Sequence, residues 1–118
     1  SSETVEPGDV LQIQLHWSTD ELLEDRLKIF IQLINPEGVL VAQRDSEPGG
    51  GQFPTTAWQP GETIIDNHAL IVPNDLPMTH YSLILGFYNP NDPLVRLPVN
   101  ETDFLTLSQI ALTSPKGE

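Results

Sequence analysis

The 118 residues contain no cysteine. A disulfide framework, a thiolate zinc site and a cysteine nucleophile are therefore excluded. Compartment stays open on this evidence, because exported bacterial domains also do without disulfides. Basic residues are scarce: five Lys and Arg stand against 17 Asp and Glu, a formal charge of −12. Such a chain repels nucleic-acid phosphates and anionic lipid head groups. Nucleic acid and acidic membrane surfaces are thus poor partners, and the charge reads first as a source of solubility and suppressed self-association. Divalent cations or a basic partner are the alternatives. No run approaches the roughly 18 apolar residues of a membrane helix, so this segment is not expected to insert in a bilayer. Ser1 to Pro7 are polar and acidic rather than signal-like. The chain reads as a mature domain or as part of a larger protein.

Reaction motifs are missing too. There is no Gly-x-Ser-x-Gly, His-Glu-x-x-His or phosphate loop. His16, His68 and His80 fall on separate expected strands without metal-ligand spacing. The chain itself is expected not to be an enzyme, and no catalytic residue or cofactor is assigned. A length of 118 residues suits a single domain over 1–118, with 1–8 and 113–118 expected as frayed ends.

What is present is a succession of short apolar runs of period two, each closed by Pro, Gly, Asn or Asp, the pattern of an all-β sandwich or barrel. Leu11, Ile13, Leu15 and Trp17 alternate with Gln12, Gln14 and His16. Residues 18–25 read as a charged loop that can hold a turn. Leu27, Ile29, Ile31 and Leu33 mark a strand over 26–34, and Phe30 and Ile34 on its other face suggest a central place. "NPEG" at 35–38 has the residue preferences of a type I turn, leading to a strand over 39–44. Three glycines and two prolines make 44–57 the least structured part, a long mobile loop.

A strand over about 62–72 follows. Asp66, Asn67 and His68 interrupt its hydrophobicity, which suggests a bulge or an edge position. Tyr81, Leu83, Leu85 and Phe87 define a strand with bulk on both faces, and "NPNDP" turns it into a short strand at 94–97. A last strand spans about 103–112. Seven such strands suit a two-sheet antiparallel β-sandwich of immunoglobulin or fibronectin-III type, with a jelly roll as the alternative.

Two groups of residues are site candidates. Trp58 follows the flexible loop, and Tyr88 has a ring that can face solvent; together with 44–57 they would form a carbohydrate-stacking surface, whereas a Trp capping the core is the simpler role for Trp58. Asn89, Asn91 and Asp92 supply oxygens on one turn and are weak calcium candidates, yet these residues are also what turns select for backbone reasons. Trp17 reads as core. Tyr81 reads as a buried ring whose hydroxyl reaches a loop backbone.

Three stretches, "PGDVLQIQLHW", "WQPGETIID" and "YSLILGFYNPNDPLVRLPV", together resemble the carboxy-terminal β-sandwich domains of bacterial multi-spanning membrane glycosyltransferase-like proteins of the protein mannosyltransferase, family 39, type. Pro7, Gly8, Asp9, Trp58, Pro60, Gly61, Glu62, Asp66, Tyr81, Leu83, Gly86, Tyr88, Arg96, Leu97 and Pro98 match that pattern. Thr79 and His80 stand where Pro-Gly usually precedes the Tyr, and "NPND" replaces a glycine-containing turn. The resemblance implies an extracytoplasmic accessory domain tethered through its parent membrane protein, in contact with glycan or with the membrane part. The catalytic carboxylates of such transferases lie in the membrane part, so none is carried over here. A free-standing carbohydrate-binding module and a calcium-stabilised adhesion-like module remain as alternatives.

Overall fold

The computed structural model describes residues 2–97 and 104–112. It is all-β, with eight strands and no α-helix among the described residues: β1 (Ser2–Val5), β2 (Val10–Trp17), β3 (Lys28–Ile34), β4 (Leu40–Ser46), β5 (Ile64–Ile71), β6 (His80–Asn89), β7 (Asp92–Arg96) and β8 (Leu105–Leu112). The larger sheet has the order β1-β8-β6-β3-β4, with β7 paired to β6, and the smaller sheet is the pair β2-β5. β2 and β5, against β3, β6 and β8, reproduce the two-sheet division of an immunoglobulin-type sandwich. The uneven division does not match the jelly-roll alternative.

Alternation explains both inner faces. β2 and β5 bury every second residue. Leu11, Ile13, Leu15 and Leu70 from the small sheet meet Ile29, Ile31, Leu33, Leu83, Leu85 and Ile110 from the large one. Burying each of these side chains contributes about 1.5–3 kcal/mol. β3 and β6 lie inside the large sheet, which accounts for bulk on both their faces: Phe30 and Ile84 are also buried. Phe30 sits opposite Gly86, and the Arg96 guanidinium lies 4.1 Å from the centre of its ring. No helix among the described residues is long and apolar enough to cross a membrane.

The turns follow local chemistry. In "NPEG" the Gly38 amide donates to the Asn35 carbonyl at 3.0 Å, while Asn35 Oδ1 accepts from the amides of Glu37 and Val39. "EPGD" and "QPGE" are the same device used twice. Asp9 N donates to the Glu6 carbonyl and Glu62 N to that of Gln59, with Gly8 and Gly61 at φ of +84° and +83°. Pro followed by a glycine in the left-handed region defines a type II turn. The acid that ends each turn then accepts the amide of the first residue, Asp9 from Glu6 and Glu62 from Gln59.

Three expectations need correction. Residues 2–5 are not a frayed end: β1 pairs in parallel with β8, from Ser2 opposite Gln109 to Val5 opposite Leu112. Four residues carry too little pattern to announce a strand, and only the partner edge specifies one. β5 has no bulge; its register with β2 is continuous from Ile64 to Ile71. Its edge position does hold, since β2 is its only ladder partner among the described residues. Residues 44–57 are not a loose loop, for β4 continues to Ser46, a tight turn with Gly49 and Gly50 in the left-handed region follows at Pro48–Gly51, and a 3-10 turn at Thr55–Ala57. The end at 113–118 and Pro98 lie outside the described residues.

Candidate functional site

The loop after β4 is held by buried polar contacts that composition conceals. Thr55 is fully buried; its hydroxyl donates to the Asp25 carbonyl at 2.6 Å and accepts from the Leu27 amide at 3.0 Å. At the surface, Arg26 adds a two-point ion pair with Glu47 at 2.8 and 3.0 Å. Trp58 is 4 % exposed, and its indole N–H donates to the Phe53 carbonyl at 2.9 Å. Its ring stacks on Trp17 at 6.5 Å, and Trp17 meets Phe87 edge-on at 4.7 Å. Trp58 is therefore the cap of the core beneath the loop, and the stacking surface expected of Trp58 with Tyr88 is not assembled.

Tyr88 lies on the large sheet, where its hydroxyl donates to Asp45 Oδ2 at 2.8 Å. Burial, and then the bond to and charge of Asp45, push its ionisation up to about 12. Tyr81 is 2 % exposed and donates to the Pro77 carbonyl at 2.7 Å, the corner contact expected of it. Its hydroxyl is also pushed up, first by burial and then by the charge of Glu37. Asn89 Oδ1 accepts from the Asn91 amide at 3.0 Å, so this calcium candidate closes its own turn. Asn91 and Asp92 are exposed beside it, and no group of three or more His, Asp or Glu side chains converges among the described residues.

The most concentrated polar chemistry lies where β5 faces the open edge of β4. Asp66 is fully buried, and its carboxylate accepts three bonds. They come from Trp17 Nε1 at 3.0 Å, the Gly49 amide at 2.8 Å and His68 Nε2 at 2.6 Å. The His68 side chain is itself buried, and Arg44 Nε donates to its Nδ1 at 3.4 Å. With Nδ1 accepting from the guanidinium, the nitrogen that faces Asp66 is Nε2–H, and it donates a hydrogen bond to the carboxylate. The order is thus Arg44 to His68 to Asp66, with Trp17 and the glycine loop joined at the same carboxylate.

Outside this chain of bonds is a groove of about 600 Å³ lined by Gln12, Gln14, Arg44, Asn67 and His68, with Ile13 and Ala69. Its size is that of small-molecule sites. Asn67 and Gln14 are cross-strand neighbours whose side chains bond at 3.1 Å, and His16 Nε2 meets Gln14 Oε1 at 3.0 Å.

Sequence reasoning read Asp66 as a matched motif residue and, with Asn67 and His68, as a break in the strand's hydrophobicity; it took Arg44 as part of the 44–57 loop and did not bring these residues together in a groove. A usable signal was present. Ile64, Asp66, His68 and Leu70 share one face of a period-two strand, so an acid and a histidine at inward positions demand mutual satisfaction. Arg44 could not be found the same way, because its approach depends on how the sheets stack.

No protein-family model matches the chain, and no curated protein matches it.

Proposed function

We propose that the chain is a non-catalytic accessory domain, held outside the cytoplasm by a membrane glycosyltransferase-like parent of the family 39 type, where it contacts glycan or acceptor. One observation carries the reading: residues that bear the resemblance do scaffold work. Pro7-Gly8-Asp9 and Pro60-Gly61-Glu62 build turns, Trp58 caps the core, Asp66 ties the glycine loop to β5, and Tyr81 fastens a corner. A motif of this kind marks a domain type and leaves contact with partners to the surface. The gene tests it. The reading frame upstream of Ser1 is expected to encode several membrane helices, and removal of the domain from the full protein should lower transfer to acceptor while leaving membrane insertion intact. An upstream frame without membrane helices overturns the reading.

A further inference from the structure

The groove beside β5 carries a cation and no acid in its lining. The chain carries −12 overall, yet no acid lines this groove, and Arg44 does. Only Nε of Arg44 is engaged, on His68. Its two terminal nitrogens carry no protein partner among the described residues. The Asn67 amide nitrogen and both ends of the Gln12 amide are likewise without protein partners, while Asn67 Oδ1 is occupied by Gln14. The uncommitted groups are therefore mostly donors, among them a guanidinium fork.

The fork is also held in place. His68 fixes Arg44 at Nε, and buried Asp66 fixes His68 in the tautomer that can accept from it. A guanidinium oriented in this way loses less freedom when it meets a planar two-oxygen anion than a free side chain would. Arginine and carboxylate pair through two parallel N–H···O bonds, and amides beside them suit hydroxyl groups.

We propose that this groove binds a carboxylate-bearing sugar, a uronic-acid residue of a glycan, with Arg44 on the carboxylate and Gln12 and Asn67 on ring hydroxyls. The proposal rests on the glycan contact in the functional reading above and names its place and ligand class. The surrounding negative charge opposes any anion, which sets the affinity in the millimolar range and requires the paired geometry for capture.

The test is a titration of the isotope-labelled protein with D-glucuronate, D-glucose and inorganic phosphate, followed by amide NMR. Glucuronate is expected to shift resonances at 12–14, 44 and 67–69, with glucose at least about tenfold weaker, the loss expected when the charged pair is absent. Arg44→Gln should abolish the preference for glucuronate. Because that change also touches His68, Asn67→Asp is the second variant: it lies on the exposed face, leaves the fold intact and should repel the carboxylate. Equal shifts with glucose, or shifts with phosphate as strong as with glucuronate, overturn carboxylate-sugar recognition. Glucuronate shifts confined to Tyr88 and its neighbours overturn this site but leave glycan contact standing. Silence with every sugar removes both the site and the glycan part of the functional reading, while the upstream reading frame still tests the tether separately.

Discussion

The backbone amide of Gly49 donates to Asp66 Oδ1 at 2.8 Å, joining the glycine loop after β4 to the interior of β5 across 17 positions of sequence. The same carboxylate also serves Trp17 and His68. Asp66→Ala leaves all three donors without their acceptor. A buried donor left without its acceptor costs about 1–3 kcal/mol, and three are left here. Thermal unfolding should therefore occur more than about ten degrees lower. Asp66→Asn should fall between, since an amide can accept from some of the donors but turns its own N–H₂ toward another.

Gly49 has φ of +62°, and a Cβ there would lie 2.3 Å from the ring of Phe53. Gly49→Ala should displace Phe53 or rotate the loop off Asp66. The expected outcome is a loss of about 1–3 kcal/mol together with a change in Trp fluorescence, since Trp58 bonds to the Phe53 carbonyl. Gly50→Ala is the control: its φ of +66° carries the same backbone cost, but no neighbour lies within 4 Å. Equal losses in the two variants would show that the contact with Phe53 is unimportant.

Tyr81→Phe keeps the ring in the core and removes only the bond to the Pro77 carbonyl. Its expected cost is about 0.5–1.5 kcal/mol, the usual net worth of one such bond. Chemical denaturation should show a lower midpoint with an unchanged slope, because the surface exposed on unfolding is nearly the same.

Alkali should weaken the domain in a defined window. Tyr88 ionises at about 12 in the fold against 10.0 ordinarily, so the fold favours its neutral form. That contribution is complete below pH 10 and is lost as pH rises through about 12. Tyr81 is shifted in the same direction. Stability measured by denaturant across this window should fall less steeply for Tyr88→Phe than for the parent, and ultraviolet absorbance should report a late-ionising tyrosinate that the variant lacks.

Calcium provides a further check. The Asn89 side-chain oxygen is engaged by Asn91 in its own turn. Adding calcium or a chelator should leave the melting temperature unchanged, and a rise with calcium would restore the turn at 89–92 as a cation site.

The sandwich was legible because burial is written with period two in Leu11, Ile13 and Leu15 and again in Ile29, Ile31 and Leu33. Turn chemistry was equally local: Asn35, Pro7-Gly8 and Pro60-Gly61 act within four residues of themselves. The order of the loop after β4 was not legible. Its glycines read as looseness, while what fixes them is Asp66 on another strand and Thr55 reaching back to Leu27. The groove was hidden for a related reason. Arg44 and His68 are 24 positions apart and meet only across the gap between two sheets.

β1 and β8 run side by side in the same direction. Tension applied through the two flanks of the chain therefore draws these neighbours past each other lengthwise. The rungs between them must give way together rather than peel apart in sequence, and a pulled domain of this design yields at a higher force than one whose outer strands are antiparallel.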